Sequence, residues 1–193
     1  LAEVQNGDIT ALLHRWKDGD GAACDQLIPY VYPHLHKVAA AYIRAESPNQ
    51  TLQPTALVHE LYLRLVQQRQ PNFQDRSHFY AFAASLMRRV LTDNARASHA
   101  AKRGAGRAHV SLSDEIPWVN VNSEDLLDLN RALEELETID PRKVRLVELR
   151  YFLGCTVQES ATLLDISVAT AERDLSLARA WLYLKLAGPS PAV

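Results

Sequence analysis

Cysteine is scarce in this chain: Cys24 and Cys155 are the only two among 193 residues. Two isolated thiols exclude a disulfide scaffold and point to a reducing compartment, and neither has the second Cys or spaced His that a zinc site needs. Glycine is also sparse, with seven residues. Two-residue alternation of Val, Ile and Thr is missing, which excludes a sheet-based fold and leaves an all-α chain. No apolar run approaches the roughly 18–20 residues needed to span a bilayer. The stretch from Leu1 to Asp8 has no basic start followed by an apolar segment. Neither a membrane span nor a signal peptide is expected, and the expected location is the cytoplasm. A Gly-rich phosphate loop, paired catalytic carboxylates and a Ser or Cys nucleophile motif are all missing, so neither an enzyme nor a cofactor is expected. The seven histidines are scattered, and His34 and His36, two apart, cannot share a helical face, so no metal site is expected.

What the chain does have is ordinary globular composition, 47% hydrophobic and 23% charged, rich in helix formers. A formal net charge of -2 conceals two opposed blocks. From Arg88 to His109 six basic residues face the single acid Asp93; from Val110 to Asp140 nine acids face the single base Arg131. The basic block suits phosphates, and its proximity to an acidic block suggests two jobs on one chain.

Apolar spacing predicts the helices. Ile9, Leu12, Leu13 and Trp16 form the stripe of a first helix entered at Asp8 and left at Gly19. Asp20 caps a second, with Leu27, Val31, Leu35, Val38 and Tyr42 inward; Pro29 and Pro33 predict a kink or a displaced start. Pro54 opens a third, with Leu57, Leu61 and Leu65 inward. The fourth begins near Asp75 and runs through Phe79, Phe82, Leu86, Val90 and Asn94 into the basic block, stopping near Gly104 to Gly106. Residues 104–123 lack periodicity and read as a flexible linker. Helical patterning resumes at Glu124 with Leu126, Leu129, Leu133 and Leu136, and Asp140-Pro141 opens a further helix that Gly154 ends. The expected architecture is two helical domains joined by a flexible linker.

The most informative segment runs from Thr156 to Leu184. Thr156-Val-Gln-Glu159 has the form of a capping box, followed by a short helix with Val157, Ala161 and Leu164 inward. Asp165, Ile166 and Ser167 make a tight turn, and the next helix is expected to bury Val168, Ala171, Leu175 and Leu182. Its outer face carries Thr170, Glu172, Arg173, Ser176 and Arg179, with Ser167 at its cap: side chains able to read base edges and hold phosphates in a major groove. This is the pattern of a helix-turn-helix, against the alternative of an ordinary α-hairpin. Local charge is only weakly positive, so this part is expected to need another subunit's help on DNA.

A carboxy-terminal helix-turn-helix, an amino-terminal helical part ending in a basic helix, and an acidic linker between them resemble an extracytoplasmic-function (ECF) RNA polymerase sigma factor. The segment Phe79 to Arg96 and the segment Thr156 to Leu182, including Ala178-Arg-Ala-Trp-Leu182, carry the resemblance. It implies a region 2 domain over 8–103 that melts the minus-ten element and binds core RNA polymerase, and a region 4 domain over 124–187 that reads the minus-thirty-five element. It implies as partners the β′ coiled coil and the β flap of the polymerase, and promoter DNA. Arg88, Arg89, Asn94 and Arg96 map onto the helix that meets the melted strand, with Phe79, Tyr80 and Phe82 as nearby aromatics for stacking. Lys102 and Arg103 are expected on phosphates.

The chain departs from the family where its third helix starts. There the family carries acids that meet a basic coiled coil; aligned on Leu57-Val-His-Glu60, this chain has Gln53, Pro54, Thr55 and Ala56. With His59 and Glu60, Gln53, Thr55 and Ala56 form the expected polymerase-facing set. Phosphate on Thr55 would put roughly -1.5 to -2 charge at a helix amino terminus, which the dipole favours. Thr55 is therefore a candidate phosphosite for a Ser/Thr kinase, against its reading as a simple cap; an anti-sigma factor is the other regulator to consider. A conventional helix-turn-helix regulator that binds DNA without polymerase, and a helical adaptor that binds only protein, remain as alternatives.

Overall fold

The computed structural model describes residues 2–46, 53–67, 73–101 and 123–187. Among these residues the secondary structure is helical and no strand occurs. In chain order the helices are α1 (Ala2–Lys17), α2 (Gly21–Glu46), α3 (Pro54–Val66), α4 (Arg76–Ala101), α5 (Ser123–Ile139), α6 (Pro141–Val147), α7 (Val157–Leu163) and α8 (Val168–Leu186). A π-helical turn, Glu148–Phe152, continues directly from α6.

The boundaries follow local chemistry. Helix α1 starts ahead of the expected Asp8 and ends at Lys17, and the corner that follows turns at Gly19, whose φ of +98° suits glycine. The Arg15 guanidinium grips Asp20 Oδ2 through Nε at 3.0 Å and Nη2 at 2.6 Å, fixing the corner. Asp20 Oδ1 accepts from the Ala22 amide at 3.1 Å at the start of α2. The proline-displaced start does not occur: α2 runs from Gly21 through Pro29 and Pro33, both exposed. Its unbroken stripe of Leu27, Val31, Leu35, Val38 and Tyr42 is fully buried, and that burial outweighs the amide bonds the two prolines forgo. Asp75 accepts from the His78 amide at 2.8 Å at the head of α4, and Asp140 caps α6 through the Lys143 amide.

Helices α1 to α4 form one group, with α2 packed between α1 and α3. Helices α5 to α8 form a second. The groups share one continuous core, because α4 packs along α5 and the π turn and also reaches α6 and α7. At a second point of contact Gly154, with φ +78°, lies so close to α2 that a Cβ would stand 3.2 Å from Val38 Cγ2. The expected linker, 104–123, falls outside the described residues except for Ser123, which begins α5.

The π turn is not legible in the sequence. The Leu153 amide donates to the Glu148 carbonyl at 3.1 Å, five residues back, so this turn accommodates one residue more than an α-helix would. It buries Glu148, Leu149, Tyr151 and Phe152 together.

Candidate nucleic-acid interface

The C-terminal pair of helices is assembled from its caps. Thr156 and Glu159 complete the capping box: the Thr156 hydroxyl accepts from the Glu159 amide at 3.1 Å, and Glu159 Oε2 accepts from the Thr156 amide at 2.7 Å. Leu164 to Ser167 then turn the chain, with Asp165 in the left-handed region at φ +52°. Ser167 caps α8 through the Thr170 amide at 3.1 Å, and its hydroxyl is 2.8 Å from that of Thr170. Ala161 and Ala171 are buried where α7 and α8 meet; their small side chains let the helices approach closely.

Helix α8 buries Ala171, Leu175, Ala178 and Leu182. Val168, expected inside, is 37% exposed. It stands in the first turn, beyond the edge of the stripe that begins at Ala171. The outer face is as expected: Ser167, Glu172, Arg173 and Ser176 are exposed, while Thr170 and Arg179 are half-buried. One functional residue escapes sequence reading here. Asp174 is buried and paired at 2.7 Å with Arg142 of α6, which pins the middle of α8, while exposed Arg173 lies 3.7 Å from its other carboxylate oxygen. No local pattern announces a partner 32 residues away.

The N-terminal set is divided. Arg89 and Arg96 are exposed, the latter 3.3 Å from Asp93. Asn94 is half-buried, and its Oδ1 accepts from the Tyr42 hydroxyl at 3.4 Å. Phe79 and Tyr80 lie in the core and Phe82 is half-buried, so the first two have no face open to a base. Lys102 and Arg103 lie outside the described residues.

Arg88, mapped by the resemblance onto the helix that meets the melted strand, is buried. Only 7% of it is exposed, and its guanidinium is turned into the contact between the two helical groups. Nε donates to Asn130 Oδ1 of α5 and Nη1 to Glu148 Oε1 of the π turn, each at 3.0 Å. The Thr92 hydroxyl donates to the Arg88 carbonyl at 2.8 Å and lies 3.5 Å from Asn130 Oδ1, and Asn130 Nδ2 donates to Glu134 at 2.8 Å. Burial pushes the Glu148 carboxyl up from its ordinary value near 4.5 to about 7, against the opposing pull of Arg88. Glu137 adds to the rise, and Arg89 and Arg145 oppose it. Sequence offered one clue: Glu148 is a lone acid inside the apolar run Leu146, Val147 and Leu149.

The candidate polymerase face is simpler. Gln53, Thr55, Ala56, His59 and Glu60 are all exposed along one side of α3, opposite buried Leu57, Val58, Leu61 and Leu65. Thr55 occupies the second position of the helix, after Pro54, and the cap residue Gln53 makes no side-chain cap bond. Glu60 is held by Arg64 at 2.8 Å, and Arg64 reaches Asp93 of α4 at the same distance.

Burial pushes the Cys24 thiol up to about 11 and that of Cys155 to about 12, so both stay protonated at neutral pH. Among the described residues no cluster of three or more His, Cys, Asp or Glu could hold a metal, and no helix is long and apolar enough to cross a membrane. No curated protein and no solved structure matches the chain. One family model does, described as ECF sigma factor, over residues 6–188.

Proposed function

Because the chain belongs to the ECF sigma factor family, whose members direct RNA polymerase to promoters, we propose how its two helical groups divide that work. Residues 8–103 engage core polymerase and the minus-ten element, and residues 124–187 read the minus-thirty-five element. The observation that best supports this division is α8: a capped helix with a buried small-residue stripe and an outer face of Thr170, Glu172, Arg173, Ser176 and Arg179. That face has the donors and acceptors that major-groove reading requires. Arg89 and Arg96 offer exposed cations to the phosphates of the melted strand, with Lys102 and Arg103 continuing the basic block. The cytoplasm is the compartment that fits this work.

On α3 the exposed set of Gln53, Thr55, Ala56, His59 and Glu60 meets the β′ coiled coil, and the β flap takes residues 124–187. Where the resemblance implies acids, this chain has Thr55 at a helix amino terminus, open to a kinase. Phosphate there supplies the missing negative charge. An anti-sigma factor is the competing form of control.

The test is run-off transcription with purified core polymerase, comparing the wild type with Thr55→Glu. A promoter-specific transcript supports the initiation role, and tighter core binding by Thr55→Glu supports the charge switch. Equal core affinity for Thr55→Glu, together with full activity of Thr55→Ala, would refute the switch alone. Palindromic DNA bound without polymerase, and no transcript, would favour a conventional helix-turn-helix regulator.

A further inference from the structure

The Arg88–Glu148 pair stands on the seam where the two helical groups meet, as Gly154 does, and both of its side chains are enclosed. The Arg142–Asp174 pair, inside the second group, is enclosed on one side only. Its carboxylate side chain is 3% exposed, while that of Arg142 is 50% exposed. An ion pair this open contributes little to stability. A carboxylate buried against so open a partner is nonetheless costly to keep. The arrangement suits a guanidinium that has a second partner outside the chain.

Asp174 lies at the edge of the outer face of α8. Thr170 precedes it by one helical turn, and exposed Arg173 beside it has Nε 3.7 Å from Asp174 Oδ1. Arg142 Nη2 takes the other oxygen, Oδ2, at 2.7 Å. One carboxylate thus holds two guanidiniums from two helices, leaving an excess of positive charge beside that face. Exposed Arg145 follows Arg142 by three residues on the same side of α6. Helix α8 itself sets Arg173, Arg179 and Lys185 against Glu172 and Asp174, and Lys185 is held by Glu135. Its own residues offer a polyanion little attraction; Arg142 supplies charge from outside the helix-turn-helix.

Resting on the sigma reading above, we infer that Arg142 is a DNA-backbone contact: Asp174 holds one edge of its guanidinium, and another edge donates to a phosphate flanking the bases that α8 reads. The planar guanidinium carries five N–H donors in a fixed fork, so it takes a carboxylate on one edge and a phosphate on another. Such a contact sets register and orientation and carries no sequence information. Asp174 is then a positioning residue, which accounts for an acid in the middle of a helix that faces DNA.

The test uses the full chain with core polymerase and a promoter fragment that gives a run-off transcript with the wild type. Arg142→Gln/Asp174→Asn replaces the ion pair by two amides and leaves the net charge unchanged. With helical circular dichroism retained, the log–log dependence of promoter affinity on salt should become shallower by about 0.9, the share of one phosphate. The ranking of base substitutions across the minus-thirty-five element should stay as in the wild type. Ethylation of one phosphate beside that element should impair the wild type and leave the variant unaffected. An unchanged salt dependence and ethylation pattern in the folded variant overturn the contact and leave the pair a structural tie. A reordered base preference overturns it too, because a backbone contact cannot choose bases. Should the amide variant not fold, Arg142→Met/Asp174→Leu, an apolar replacement of the kind such pairs tolerate, is read by the same criteria. A wild type that gives no promoter-specific transcript overturns the sigma reading itself, on which the contact rests.

Discussion

Helices α4 and α8 were expected to do the same kind of work, and the structure treats them differently. Helix α8 has one apolar stripe inward together with the buried Asp174, and Glu172, Arg173 and Ser176 outward. Helix α4 lies between groups, touching α1 and α3 on one side and α5, α6, α7 and the π turn on the other. Reading a face from spacing therefore works for α8, where one boundary separates core from solvent. It fails for α4, which has two packed sides and only a narrow exposed strip. On that strip Arg89 is exposed, while its neighbour Arg88 is buried.

The sharpest way to break this comparison is to remove the two arginines in turn. Arg88→Leu strands Glu148 and Asn130 and should cost about 3–5 kcal/mol of stability, whereas Arg89→Ala should stay within about 0.5 kcal/mol. Urea unfolding measures both, and equal losses would abolish the distinction between the two positions.

The next effect is pH dependence. Folding raises the Glu148 pKa from near 4.5 to about 7. Between those values the folded chain binds a proton that the unfolded chain lacks, so this group's contribution is full below about pH 4.5 and is lost as pH rises through about 7. The change is on the order of 3–4 kcal/mol at about 1.4 kcal/mol per pKa unit. Glu148→Gln should flatten the stability profile over that window; an identical slope in both proteins would remove Glu148 as its source.

Smaller effects distinguish the second seam contact from the caps. Gly154→Ala forces a side chain into a left-handed conformation and against Val38, for a loss of about 1–2 kcal/mol in thermal unfolding. Were the melting temperature unchanged, the seam would be looser there than its geometry implies. Ser167→Ala removes the α8 cap and should cost about 1 kcal/mol, read as a lower melting temperature with α7 and the core intact.

The sequence revealed each stripe that faces a single core. Ile9, Leu12, Leu13 and Trp16 are buried as spaced, as are Leu126, Leu129, Leu133 and Leu136, and the caps at Asp140, Thr156 and Ser167 form as their residue types suggest. Periodicity reports only whether a residue shares a face with its neighbours three or four positions away. It carries no information about Asn130 and Glu148, which lie 42 and 60 residues beyond Arg88 and determine what that arginine does. The same limit hid the pairing of Arg142 with Asp174 of α8. A basic block reads as solvated by default, and the one sign against this was a lone acid in an apolar run far downstream.

The extra residue in the turn at Glu148–Phe152 also sets a phase. Each residue of an α-helix advances the chain by about 100°, so inserting one in a single turn rotates everything after it relative to everything before. Deleting one residue from that turn would return the segment to α-helical winding while keeping its composition. One inserted residue thus works like a tooth in a gear train, setting the angle at which Leu149, Tyr151 and Phe152 follow the face that α6 presents.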